Sequence, residues 1–153
     1  MSRLIAPLVA AKLTMAQKIV GHVFRDAQLG VEALTAPGAV RTLENGALSY
    51  DGNASLALLG DGILRVGVGL QSRRLCETKG LSSLRISRAA NNGNLARVCD
   101  TSCLTDCIVL HESTQGFASD KMKGTTVEAV LGAVFLDADL EAALAVMRQL
   151  EIE

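Results

Sequence analysis

The sequence predicts an all-α domain, and three observations carry that expectation. The 153-residue chain has only two prolines and many alanines, which favours helices over an all-β sandwich. It is 49% hydrophobic but only 3% aromatic, so its core is built from Leu, Val, Ile and Ala. Apolar residues recur three or four apart over long stretches, the period of a helix with one buried face. The length fits one domain with a single core.

Leu4–Val23 reads as one or two helices, with Pro7 suited to a first turn and Leu13, Ile19 and Val20 as apolar positions. Phe24–Thr35 has a helix start at Asp26 and an apolar stripe of Leu29, Ala33 and Leu34. The proline and glycine in Ala36–Gly38 end it. Val40–Gly52 holds the turn formers ENG and YDGN and reads as a loop. In Asn53–Leu70, residues Leu56, Leu59, Ile63, Val66 and Leu70 keep a helical period. Against this, Gly60, Gly62, Gly67 and Gly69 each disfavour a helix by up to about 1 kcal/mol. Asp61-Gly62 between apolar runs is also a hairpin signal. These residues by themselves leave helix and hairpin both open; a deeply buried helix with close neighbours would account for the glycines.

Leu81–Asn92 reads as a helix stopped by Asn91-Asn92-Gly93, with Asn94 as the cap of a helix running on from Leu95. Glu112–Lys123 reads as a loop or a frayed helix start. Thr126–Leu136 then carries the stripe Val127, Val130, Leu131 and Val134. Asp137 or Asp139 caps a last helix with Leu140, Leu144 and Met147 on its apolar face.

The formal net charge of −1 argues against a globally basic nucleic-acid binder, so RNA contact would need a local surface. The only basic concentration is Arg73, Arg74 and Lys79 with Arg85 and Arg88. Without interleaved aromatics it reads as a solvated face ahead of a phosphate-contacting edge. Cys99, Cys103 and Cys107 would share one side of a helix if that segment is helical. Zinc is the sharp reading; the absence of two-residue gaps and histidine partners favours free thiols, with Cys76 alike. No run of about 18 uncharged apolar residues occurs, so no membrane span is expected. The N-terminal stretch carries Arg3, Lys12, Lys18 and Arg25 with no acid before Asp26. That is faintly like an organellar transit segment, though an ordinary amphipathic first helix accounts for it. An intracellular setting (cytoplasmic, nuclear or mitochondrial) is expected. His22 reads as structural or surface, and Tyr50 is assigned no role.

Two aliphatic stretches each hold one acid inside the apolar run, where a buried charge would need a partner or a cation. They are NASLALLGDGIL at 53–64, with Asp61, and KMKGTTVEAVLGAVFLD at 121–137, with Glu128. The first resembles the signature helix of the ribonuclease III domain, usually NERLEFLGDAVL. The second is similar to that domain's second acidic helix, usually KxLADxFEALIGAIYLD. LSSLRISRAANNGNLARVC resembles the family's LTxLRxxLVSNxxLAxxA, and FRDAQLGVEALTAPG its FxDPxLLxxALTHxS. The likeness runs in order over residues 15–150. It implies an all-α ribonuclease III-like domain that pairs as a two-fold homodimer through its signature helices, and it favours helix over hairpin.

The resemblance further implies four carboxylates per subunit that hold a divalent metal, usually magnesium, and a metal-activated water that attacks double-stranded RNA. Magnesium prefers carboxylate and water oxygens, and it can neutralise charge developing on the scissile phosphate. Two of the four positions keep their acids, Asp61 and Glu128, which become the candidate catalytic and metal residues. The other two fall on Ala57 and Thr125. Ala54 and Ser55 replace the family's Glu-Arg, and Ala36 replaces the histidine of its ALTH motif. Mg2+ or Mn2+ is therefore expected to bind weakly or not at all unless Asp51 or Asp120 reaches in. Bland readings stand beside these: Asp61 as an acid kept for packing or hydrogen bonding, and Thr125 to Glu128 as a capping box.

The expectation is a homodimeric pseudo-nuclease without a double-stranded RNA-binding domain. It would bind double-stranded or structured RNA or dock in a ribonucleoprotein such as a mitochondrial ribosome. The rivals are a working endoribonuclease that uses Asp61 and Glu128, and a dimer surface that serves protein partners only.

Overall fold

The computed structural model describes residues 4–38 and 40–153, so Arg3 of the basic N-terminal reading lies outside the described residues. Helix α1 (Pro7–Val20) starts on Pro7 and ends at Gly21, whose φ of 74° is left-handed. Asp26 accepts the Gln28 N–H at 3.0 Å and starts α2 (Ala27–Leu34). The loop reading of Val40–Gly52 then needs correction. Strands β1 (Arg41–Thr42) and β2 (Leu48–Ser49) pair antiparallel, with Thr42 opposite Leu48. The Asn45 side chain accepts the Ala47 N–H at 3.0 Å inside the turn. The turn formers were legible, but two-residue strands are too short to leave an alternating pattern.

Helix α3 (Ala54–Arg74) is continuous over 21 residues, which decides between helix and hairpin. Helix α4 (Lys79–Ala89) is capped by Thr78. Helix α5 (Asn92–Thr101) is capped by Asn91, which accepts the Gly93 N–H at 2.8 Å. Asn94 is therefore not the cap; it lies inside α5, where its amide donates to the Ala89 carbonyl at 3.1 Å. The chain leaves the helix after Thr101, passes Cys103 at a left-handed φ of 66°, and forms a 3₁₀ turn at Leu104–Cys107. Cys99, Cys103 and Cys107 consequently do not share a helix face. Cys99 and Cys107 are buried free thiols and Cys103 is exposed. Burial pushes both buried thiols up to about 11, which keeps them protonated and unreactive.

Ser119 accepts the Met122 N–H at 3.2 Å and caps α6 (Asp120–Asp137). The helix thus begins well before Thr126, and the capping-box reading of Thr125 and Glu128 fails because both are helix-interior residues. Helix α7 (Leu140–Gln149) is capped by Asp139 through the Ala142 N–H at 2.8 Å. Asp137 does other work. Its carboxylate accepts from His22 Nε2 at 2.8 Å and from the backbone N–H groups of Arg25 and Asp26 at 3.0 and 2.9 Å. This fastens the end of α6 to the α1–α2 turn and gives His22 its structural role.

Helix α6 is the hub. Val127, Ala129, Val130, Leu131, Ala133 and Val134 are all buried, and the helix packs against α2, α3, α5 and α7. A helix apolar all round belongs in a core. Where α3 crosses α6, a Cβ built on Gly60 would overlap the Glu128 carbonyl, and one on Gly132 would overlap the Leu56 carbonyl. Side chains as small as hydrogen let the backbones touch, which explains two glycines that helix propensity disfavours. By length and a mean hydropathy of 1.2, α3 also passes for a membrane-crossing helix. Its Leu56, Ile63, Leu64 and Val68 nevertheless belong to the core cluster.

A polar knot joins α3 to α4. Ser72 is buried and hydrogen-bonds to Glu77 and Ser82, while the Arg85 guanidinium forks onto the Glu77 carboxylate. Arg85 and then Ser72 hold the Glu77 carboxyl down at about 2. Arg85 is thereby withdrawn from the basic run.

Candidate functional site at the crossing of α3 and α6

The contact between Gly60 and Glu128 places the acids Asp61 and Glu128 on one side of the molecule. Asp61 follows Gly60 directly, and its charge reaches Glu128 across the crossing. Burial, then the Asp61 carboxylate, push the Glu128 carboxyl up from 4.5 to about 7, with Arg65 acting in the opposite sense. Arg65 stands one helical turn beyond Asp61 and donates from Nε to Asp61 Oδ2 at 3.0 Å. The Asp61 side chain is 33% exposed and that of Arg65 53%, so the pair sits at the rim of the crossing. Glu128 is half-buried beneath it.

The positions that complete the constellation lie one turn back on each helix. Ala57 is buried and presents only a methyl group. Thr125 is half-buried and offers a neutral hydroxyl. Asp51 is exposed and precedes α3, whereas Asp120 starts α6, about 12 Å along the helix axis from Glu128 by the rise per residue. Among the described residues, no group of three or more His, Cys, Asp or Glu side chains gathers as a metal cage would require. Asp120 therefore does not make up the missing acids.

Asn53 anchors the start of α3. It is fully buried, and its amide donates to the Ala33 carbonyl at 2.9 Å and to Thr126 Oγ1 at 3.3 Å. Among the described residues its Oδ1 has no hydrogen-bond partner. Arg65 does not stand out from composition or motif, and Asn53, although it matches the first residue of the signature stretch, has no role of its own in that reading. For Arg65 the signal was the i, i+4 spacing from Asp61; for Asn53, a polar residue opening an apolar run.

No protein-family model matches the chain. It is 32% identical over 138 residues to the ribonuclease 3 of Pelotomaculum thermopropionicum, covering 86% of this chain and 56% of that protein. The ribonuclease 3 of Sulfurovum sp. is 30% identical over 130 residues, covering 83% of this chain and 56% of its own length. The crystal structure of the nuclease domain of ribonuclease III from Campylobacter jejuni matches with a TM-score of 0.74 at 25% identity, over 92% of each chain. This chain belongs to the ribonuclease III domain family. It spans about half the length of the curated ribonucleases 3 that it matches. A second structure of the Campylobacter jejuni domain concerns flexibility in a region involved in dimer formation. It matches this ribonuclease III domain with a TM-score of 0.73 over 92% of this chain and 94% of that one.

The raised Glu128 carboxyl gives the domain a pH signature. Between 4.5 and about 7 the folded state keeps a proton that the unfolded chain releases, so stability falls as pH rises through that window. Glu128→Gln removes the effect. At about pH 8 the variant is expected to be more stable than wild type by about 1 kcal/mol, after discounting for solvent screening of a half-exposed group. Near about pH 4 the two should coincide. Thermal melts across this range check it; a variant less stable than wild type at the alkaline end refutes it.

Proposed function

We propose that this ribonuclease III domain is a catalytically degenerate, homodimeric module that binds double-stranded or structured RNA without cutting it efficiently. The observation that carries this reading is the composition of the crossing. Of two carboxylates, Asp61 is already engaged by Arg65, and Ala57 beside them has no oxygen to offer. Magnesium takes oxygen ligands in a near-ideal octahedron and dehydrates reluctantly, so it needs strong anionic donors. Two acids, one of them ion-paired, with a threonine hydroxyl, do not fit a tightly held divalent ion. The formal charge is half that of the four-acid centre.

RNA contact falls to the basic residues left free of the polar knot: Arg73 and Arg74 at the end of α3, with Lys79 and Arg88 on α4. These supply phosphate contacts, which are sensitive to salt and indifferent to sequence. The homodimer is supported by a stripe along α3. Leu58 is 79% exposed, Val66 48% and Leu70 40%. Gly62 lies between them, and a Cβ there would meet nothing within 4 Å among the described residues. Packing within one protomer therefore accounts for neither the exposed apolar groups nor that glycine. A self-complementary face on a second copy does. No relative singles out a mitochondrial ribosome, and the partners we propose are structured RNA and a second copy of the chain.

One observation favours an active nuclease instead. A carboxyl held near neutrality, as Glu128 is, can give and take protons at physiological pH. A single assay separates the two. Purified protein is incubated with long double-stranded RNA and Mg2+ or Mn2+, alongside an Asp61→Ala, Glu128→Ala variant. The expected result is RNA retention on a low-salt gel with no cleavage above the variant's. Cleavage that the variant loses would overturn the degenerate reading.

A further inference from the structure

Arg65 is the residue at the crossing with no assigned role, and its position is informative. It emerges from an aliphatic run, one turn past Asp61, and its Nε lies 3.0 Å from Asp61 Oδ2. Glu128, from the other helix, lies close enough to feel both charges. A guanidinium suits this place. It stays charged at all accessible pH values, is more weakly hydrated than an ammonium, and presents a planar fork of donors to carboxylates. Lysine, a compact and strongly hydrated point charge, would match less well. A divalent ion approaching the same carboxylates would meet a fixed unit positive charge within hydrogen-bonding distance of its first ligand, and at that range the repulsion is substantial even near a protein surface.

We propose that the Arg65 guanidinium is the resident counter-cation of the Asp61–Glu128 pair, seated where a bound divalent ion's charge would otherwise balance the acids. The inference rests on the degenerate reading and deepens it. The acids belong to an ion cluster between α3 and α6 in which one guanidinium, bonded to Asp61, faces two carboxyls, and removing the guanidinium uncovers a cation site that the native chain blocks.

The test uses Mn2+ as the probe and contains no RNA. Binding is followed by electron paramagnetic resonance of free Mn2+ with the purified wild type, Arg65→Gln, Arg65→Lys, and the double variant Arg65→Gln, Glu128→Gln. Arg65 is 53% exposed, so these variants are expected to fold, and circular dichroism confirms it. Arg65→Gln is expected to bind Mn2+ about tenfold more tightly than wild type, the order expected from removing one adjacent unit charge at a half-exposed site. Arg65→Lys should behave as wild type, and the double variant should lose the gain. Arg65→Gln binding no more tightly than wild type would overturn the proposal. So would wild type already holding Mn2+ at micromolar concentration in a Glu128-dependent way. The two readings fail separately. A wild type silent on double-stranded RNA that nevertheless binds Mn2+ tightly sinks only the Arg65 assignment. A wild type that cleaves sinks the degenerate reading, whatever Arg65→Gln does.

Discussion

Gly60→Ala is expected to destabilise the domain by more than about 4 kcal/mol, enough to leave much of the protein unfolded at ambient temperature. A Cβ at this position lands on the Glu128 backbone carbonyl. Overpacking among flexible side chains typically destabilises by about 1–3 kcal/mol because the neighbours can rotate away. Here the obstacle is main chain inside a core helix, so one of the two helices has to move as a body. The control is Gly80→Ala on α4, where an added Cβ meets nothing within 4 Å. That change should be neutral or stabilising by up to about 1 kcal/mol through helix propensity. Urea titrations measure both. If Gly60→Ala unfolds within about 1 kcal/mol of wild type, the backbones do not touch as described.

Leu58→Glu is expected to convert a dimer into a monomer. Wild-type protein at micromolar concentration should run at twice the 16.0 kDa chain mass in light scattering, and the variant at one chain mass. In a two-fold interface each substitution counts twice, and burying two unpaired carboxylates opposes association by several kcal/mol. Because Leu58 is 79% exposed in the protomer, the helical content should be unchanged. A monomeric wild type would remove the homodimer from the proposed function.

Those two positions also show what the sequence carries and what it hides. The glycines in Asn53–Leu70 leave helix and hairpin both open, with a buried helix among close neighbours as the way to account for them, and Gly60 shows that close approach. Asp26 announced its helix, and Asp139 was one of two candidates beside Asp137, because a capping oxygen acts locally, on an amide two or three residues away. Asn91 reads as part of the stop after α4 and Asn94 as the next cap, yet it is the Asn91 side chain that accepts the Gly93 N–H and starts α5. Ser119 was obscured by the polar turn that follows it, so α6 begins earlier than its apolar stripe. The three cysteines look periodic, but a left-handed residue at Cys103 breaks the helix that would align them. At the site, the acids were legible as charges inside aliphatic runs. Arg65 was legible only through its i, i+4 spacing from Asp61, and its bearing on Glu128 depends on how α6 crosses α3.

The touching of main chains at Gly60 and Glu128 has a consequence for how such a domain can drift in evolution. The spacing of the surviving acids is set by peptide groups, with no ligand needed to hold the helices in register. Acids one turn away can therefore be lost without loosening the scaffold that displayed them. On the degenerate reading proposed above, a geometry of this kind would outlive its first chemistry and stay available for a different use.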